Sequence, residues 1–180
     1  MSTNTAERHT ADLTANPDKF AGDIGILVIR IVFGLILAAH GAQKLFGWFD
    51  GPGLTQAGTG FESMGYHPGK FFGTLAGLCE FGGGLLLALG LVTPLAAAIV
   101  LGTMINAINA TWAPGLFGKG GWESPLLFAA VALALAFTGP GRFALDHGRP
   151  WQRHGLVWGV GAFVLAVVAA VVTLVFKWIL

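Results

Sequence analysis

From Val157 to Phe176 the chain places no charged side chain on any face of the helix that its apolar content implies. A helix of a soluble core needs a charged outer face, so a stretch that is apolar all round and about 20 residues long is one that crosses the hydrocarbon of a bilayer. Four further stretches approach that length: Ile24 to Gly47, Phe71 to Gly90, Pro94 to Trp112 and, shortest, Pro125 to Thr138. With Leu156 to Trp178 they make five predicted spans. Composition agrees, being 54% hydrophobic and 11% charged, with 28 glycines of the kind that let helices approach closely in lipid. The expected fold is all-α, a polytopic helical bundle in the cell membrane.

Charge placement predicts the orientation. Arg142, Arg149 and Arg153 lie between the last two spans, and Arg8 and Lys19 precede the first, whereas the loops Trp48 to Lys70 and Ala113 to Gly121 hold one Lys each. Cationic loops stay in the cytoplasm, so the amino terminus is expected there, although Lys177 near the other end argues weakly against a carboxyl terminus outside. Residues 1–21, polar and mixed in charge, read as a disordered cytoplasmic tail. The scattered basic residues form no stripe, so no nucleic-acid partner is expected. A single cysteine, Cys79, excludes a disulfide framework and multi-cysteine metal sites, and within a span it reads as packing. Thr93-Pro94 and Ser124-Pro125 each put a hydroxyl at an expected helix cap and a proline at the first helical position. Inside the loop from 48 to 70, Leu54, Phe61 and Met64 suit a short interfacial helix in spite of the surrounding glycines.

The chemistry lies in the ionisable groups inside the spans. A charge near mid-bilayer costs about 2.5–3.5 kcal/mol, so Arg30 and Glu80 imply a partner, a cavity or a task. At 100° per residue, Arg30, Gly34, Leu37, Gly41 and Lys44 share one stripe of the first span, with His40 on its flank, and Gly73, Gly77, Glu80 and Gly84 share one of the second. In the third span the stripe is Ile99, Gly102, Thr103, Asn106, Asn109 and Ala110. At a rise of about 1.5 Å per residue, Arg30 lies about 10 Å and Glu80 about 15 Å from the cytoplasmic edge, so an Arg30–Glu80 ion pair is expected. His40, Asn106 and Asn109 fall above Glu80, near Lys44 and Glu123, in a pocket opening outward and rimmed by Trp48, Trp112 and Trp122. Intramembrane Asn and Glu also serve as interhelical hydrogen-bond glue, and tryptophans form an ordinary interfacial belt, so structural roles stay open for these residues.

The run His40-Gly41-Ala42-Gln43-Lys44-Leu45-Phe46-Gly47, then Gly60-Phe61, Met64-Gly65 and Pro68, then Ala76-Gly77-Leu78-Cys79-Glu80-Phe81-Gly82-Gly83, Leu89-Gly90-Leu91-Val92-Thr93, Gly121-Trp122-Glu123 and Gly139-Pro140-Gly141-Arg142-Phe143-Ala144-Leu145-Asp146, resembles the DoxX family of small bacterial membrane proteins. The resemblance spans about residues 24–146. It implies a four-helix DoxX-like core over residues 22–146; hydropathy adds, at 147–180, a cytoplasmic linker and a fifth transmembrane helix, where contacts of a homo-oligomer would lie. Pro94, where the family commonly has Arg, departs from the pattern, as does the fifth span. Association with membrane redox systems is also implied: a subunit like that of a thiosulfate:quinone oxidoreductase, or an oxidative-stress complex with superoxide dismutase and a sulfurtransferase.

The residues limit the options. A bis-His haem needs two intramembrane histidines and only His40 qualifies, zinc spacings are absent, and no phosphate-binding glycine loop precedes a helix. The expected role is therefore a membrane component of a redox system meeting a quinone or related apolar ligand. Glu80 and His40 are the proton-exchanging groups, and Arg30, Lys44, Gln43, Asn106, Asn109, Trp112 and Glu123 the ligand-contacting set. A non-enzymatic scaffold recruiting soluble redox enzymes and a small proton-coupled transporter are the alternatives.

Overall fold

The computed structural model describes residues 17–179, and the described residues are all-helical, without strands. The helices are α1 (Pro17–Phe46), α2 (Gly53–Ser63), α3 (Gly69–Leu89), α4 (Thr93–Ala110), α5 (Glu123–Thr138) and α6 (Leu156–Ile179). Among the described residues, α1, α3, α4 and α6 are long and apolar enough to cross a membrane, while α5 is apolar but shorter, at 16 residues. Helix α1 begins at Pro17, so the expected tail boundary at residue 21 falls inside a helix, and the remainder of that tail lies outside the described residues. The short helix expected in the 48–70 loop is present as α2, carrying Leu54 and Phe61.

The bundle is built on the contact of α1 with α3. A Cβ on Gly34 would lie 2.6 Å from the Gly84 carbonyl oxygen and 2.7 Å from the Ala88 nitrogen, and one on Gly41 would lie 2.6 Å from the Gly77 carbonyl oxygen. Backbone meets backbone at these levels, which only glycine permits. In lipid, where apolar burial gives helices little reason to associate, such van der Waals contact is the main cohesive term. The glycine stripes predicted for both helices are buried: Arg30, Gly34, Leu37 and Gly41 on α1, and Gly73, Gly77, Glu80 and Gly84 on α3.

Helix α4 forms the centre of the remainder. Its alanine-rich face (Ala96, Ala97, Ala98) with Val100, Leu101 and Met104 packs against Ala129, Ala132, Leu135 and Ala136 of α5 and Ala162 and Ala166 of α6. Helix α6 buries a small residue about once per turn, Gly159, Ala162, Ala166 and Ala170, and turns its valines and phenylalanines outward. An apolar exterior of this extent is a lipid-facing surface.

The connections depart from the predicted caps. Helix α4 starts at Thr93 and α5 at Glu123, one and two residues ahead of the prolines expected to open them, and neither has a side-chain cap at its N-cap residue. Thr93 is instead buried with its hydroxyl unpartnered, because the turn is made by backbone: Gly90 is left-handed (φ 66°) and the Leu91 N–H returns 2.9 Å to the Leu86 carbonyl. At the opposite end, Glu62 of α2 accepts from the Gly69 N–H at the start of α3 and from His67 at 2.9 Å. These two bonds, His67 first, hold its carboxyl below the ordinary value of 4.5.

The α1–α3 contact generates a sharp expectation. Gly34→Leu should part the two helices and lower stability by about 1–3 kcal/mol or more, the range for overpacked cores. Gly82→Ala, where a Cβ meets nothing within 4 Å, should cost nothing. Thermal unfolding in mild detergent compares them, and equal melting of the two variants would contradict the glycine contact.

Candidate functional site

The register set by the glycine contacts decides which polar groups meet. Gly90, at the end of α3, lies against the Arg30 guanidinium, and Glu80 lies ten residues earlier, about 15 Å along the helix axis. Glu80 is therefore level with Gly41 and out of reach of Arg30, and the expected Arg30–Glu80 pair does not form. Its partner is Lys44, one turn above Gly41, whose Nζ stands 2.5 Å from Glu80 Oε2. The apolar ends of α1 and α3 do not lie at one level; the stagger follows from which glycines touch.

Arg30 does different work. It is 2% exposed, its Nη2 donates to the Phe143 carbonyl, and its Nε and Nη1 have no protein partner. The segment it holds is docked on the end of α3 by two backbone bonds of 3.1 Å, from Leu145 N–H to the Leu89 carbonyl and from Asp146 N–H to the Gly90 carbonyl. Asp146, 1% exposed, in turn accepts from Trp151 Nε1 at 2.7 Å. The Gly-Pro-Gly-Arg-Phe-Ala-Leu-Asp run at 139–146 is thus a clamp joining α1, α3 and the chain leading to α6.

Lys44 and Glu80 border a cavity of about 610 Å³ whose walls come from α1, α3, α4, α5, α6 and the stretch around α2. Its lining is mostly apolar, with few polar groups. Glu80 is buried, and Lys44 keeps a quarter of its side chain exposed. His40 stands edge-on to Phe128 at 6.2 Å. Asn106 turns its amide nitrogen to two carbonyls, Gly102 at 3.1 Å and Ala170 of α6 at 3.5 Å, which leaves its Oδ1 without a donor. Because both neighbours are acceptors, the flipped amide would face oxygen with oxygen, so the orientation is determined. Cys79 also lines the cavity.

Of the expected site residues, the cavity gathers Glu80, His40, Lys44 and Asn106. The others lie elsewhere. Gln43 donates to the Phe49 carbonyl at 3.3 Å, Asn109 and Glu123 are exposed, and Trp112 stacks flat on Trp122 at 5.2 Å. None of the three tryptophans expected at the rim lines the cavity. Asn109 misses because it stands three residues beyond Asn106, about 60° away around the helix. Tyr66 and Thr173 are among the lining residues that the sequence does not single out. Tyr66 sits in the α2–α3 loop, where no periodicity points at it; it is 2% exposed, its hydroxyl is unpartnered, and burial raises its phenol above the ordinary value of 10.0. Thr173 lies on α6, whose sequence reads as lipid-facing throughout. Among the described residues no group of three His, Cys, Asp or Glu side chains could hold a metal ion.

A carboxylate, an ammonium and an imidazole at one wall of an apolar cavity can donate hydrogen bonds to an oxygen of an apolar ligand and exchange a proton with it. The pair also tests the geometry. Lys44→Met or Glu80→Leu alone leaves a buried charge uncompensated and should cost about 3 kcal/mol, while the double change should recover much of that loss. Arg30→Leu with Glu80→Leu should show no such recovery. Thermal-unfolding cycles read both, and coupling of Glu80 to Arg30 rather than Lys44 would overturn the register.

The DoxX family model matches residues 25–113, from α1 to just past α4, and includes His40, Lys44, Glu80 and Asn106. The chain is 33% identical over 139 residues to the Mycobacterium tuberculosis protein named "Uncharacterized membrane protein Rv3486", covering 69% of this chain and 81% of that one. It is 33% identical over 129 residues to the Escherichia coli "Inner membrane protein YqjF" (69% and 91%) and 31% identical over 124 residues to the Bacillus subtilis protein named "Putative oxidoreductase CatD" (69% and 86%). No solved structure matches significantly. With a helical membrane bundle, the motif residues gathered on α1 and α3, and relatives of this identity and coverage, the chain belongs to the DoxX family.

Proposed function

We propose that the protein is the membrane component of a redox system and binds a quinone, or a molecule of the same chemistry, in the cavity beside Glu80. The carrying observation is the pairing of a mostly apolar cavity of about 610 Å³ with a Lys44–Glu80 ion pair and His40 at its wall. A quinone needs an apolar slot for its ring, a donor at its carbonyl oxygen and a group that supplies protons. Lys44 serves as the donor, and Glu80 with His40 as the proton-exchanging groups. Reduction of a quinone to a quinol takes two electrons and two protons. In this reading the electrons come from a partner redox enzyme, and the protons pass through Glu80 and His40 to the two quinone oxygens. The naming of one relative as an oxidoreductase supports the same class.

Glu80→Gln keeps the shape and the hydrogen-bonding capacity of the side chain and should abolish the pH dependence of binding of a short-chain ubiquinone analogue. His40→Ala should weaken that binding without unfolding the bundle. If purified protein binds no quinone analogue, and both variants rescue a deletion strain under oxidative stress as wild type does, the quinone reading fails and a scaffold for soluble redox enzymes replaces it.

The proposed orientation places the amino terminus in the cytoplasm. Phe20 packs on Phe143 and Asp23 accepts from the Arg142 N–H, so Lys19, Arg142, Arg149 and Arg153 share one end of the bundle. The other end carries Lys70, Lys119 and Lys177, one per segment. Arginine clustered in one short loop favours the cytoplasmic side for that end. In a Cys79→Ala background, a cysteine at Thr59 should be labelled by an impermeant reagent in intact cells and one at Gln152 should not. The reverse pattern would invert the orientation.

A further inference from the structure

Helices α3 and α6 both line the cavity, through Leu75 and Cys79 on one side and Ala169, Val172 and Thr173 on the other. Yet no Cα of α3 comes within 8 Å of one in α6, since each packs on α4 and not on the other. The backbones of α3 and α6 therefore stand apart along this line of the cavity wall. What flanks the gap is membrane-facing: Phe71, Leu75 and Leu78 on α3 and Val168, Val172 and Phe176 on α6 are exposed and apolar.

At the end nearest α2 the gap is roofed. The loop between α2 and α3 carries Tyr66 over it, buried against Phe61 and Phe72 with ring centroids 5.6 and 5.3 Å away. Lys177 of α6 brings its Nζ 4.4 Å from the centre of the Tyr66 ring, a cation–π contact that ties the last turn of α6 to the loop. Asn106 joins α4 to α6 through its bond to the Ala170 carbonyl.

We infer that the ligand enters sideways from the bilayer through the gap between α3 and α6, and that the Tyr66–Lys177 contact closes the aqueous route above it. The occupant is a membrane-dissolved molecule with a polar head and a long apolar chain; its head reaches the Lys44–Glu80 pair while its chain lies in the gap against α6. This deepens the reading of the cavity as a ligand site and rests on it for the identity of the head group. Helix α6, which supplies this wall, lies beyond the residues that the family model matches.

Cys79, the chain's single cysteine, lines the cavity and reports on the route whatever the ligand is. In proteoliposomes, pyrenylmaleimide, which partitions into lipid, should label Cys79 much faster than a charged, impermeant methanethiosulfonate added to the water. Ala169→Phe or Thr173→Trp, which fill the gap, should slow the lipid-borne reagent about tenfold, equivalent to ~1.4 kcal/mol of barrier, and leave the charged one unchanged. Val171→Phe, exposed on α6 and not part of the cavity lining, should change neither. Lys177→Met should open the roof and speed the charged reagent. A charged reagent as fast as the lipid-borne one, gap-filling variants that label like wild type, or a Cys79 inert to both would each overturn the lateral route. Protection of Cys79 by decylubiquinone, compared with its tailless benzoquinone, tests the occupant: protection by the tailed molecule alone supports it, and equal protection by both overturns the role of the chain. If the gap-filling variants slow labelling and neither molecule protects, the route stands and the quinone reading falls.

Discussion

The close approach of α1 and α3 is the contact on which the rest of the bundle depends. Gly34 against Gly84 and Gly41 against Gly77 allow backbone to touch backbone, and in a bilayer this packing supplies cohesion that the hydrophobic effect does not. It sets a distance and also a stagger. Because these glycines can meet only in one register, Lys44 comes to rest beside Glu80 and Arg30 comes to rest beside Gly90, at the turn into α4.

The two intramembrane cations consequently have different roles. Arg30 is enclosed by protein and spends a hydrogen bond on the Phe143 carbonyl, so its guanidinium fastens the 139–146 segment to the end of α3. Lys44 keeps a quarter of its side chain open and faces a carboxylate at the cavity wall. A buried ion pair is a poor source of stability compared with apolar packing of the same volume, and the position of this one at a cavity accords with chemistry rather than cohesion. Arg30 lacks any such opening, which removes it from the ligand-contacting set in which its charge first placed it.

The cavity also owes part of its wall to α6, a helix beyond the residues that the family model matches. Helix α6 packs on α4 through Gly102 and Ala166 and through the Asn106 bond to Ala170, and reaches the α2–α3 loop through Lys177. Its contribution is asymmetric: Ala166 and Ala170 face α4, while Ala169, Val172 and Thr173 meet the cavity. Such a helix can shape what enters while leaving the polar wall of α1 and α3 unaltered.

Hydropathy and 3.6-residue periodicity, local properties of the chain, were enough to determine the helical membrane class, the buried stripes of α1 and α3 and the inward direction of Glu80, because a helix face is decided by spacing alone. The motif residues were likewise enough to point to the family. Partnership was a different matter. Whether Glu80 meets Arg30 or Lys44 depends on the axial stagger of two helices, and that stagger follows from surface shape at the glycines, which no single-helix pattern encodes. The same holds for Tyr66, in a loop without period, and for Thr173, on a helix whose uniformly apolar sequence conceals which face meets α4. The 100° spacing puts Asn109 on the polar stripe of α4 and depth puts Trp112 at the rim, yet Asn109 is exposed and Trp112 stacks on Trp122 away from the cavity. Sequence determined the inward faces of α1 and α3; only the packing of one helix against another decided which side chains share a site, since that depends on distances between segments far apart in the chain.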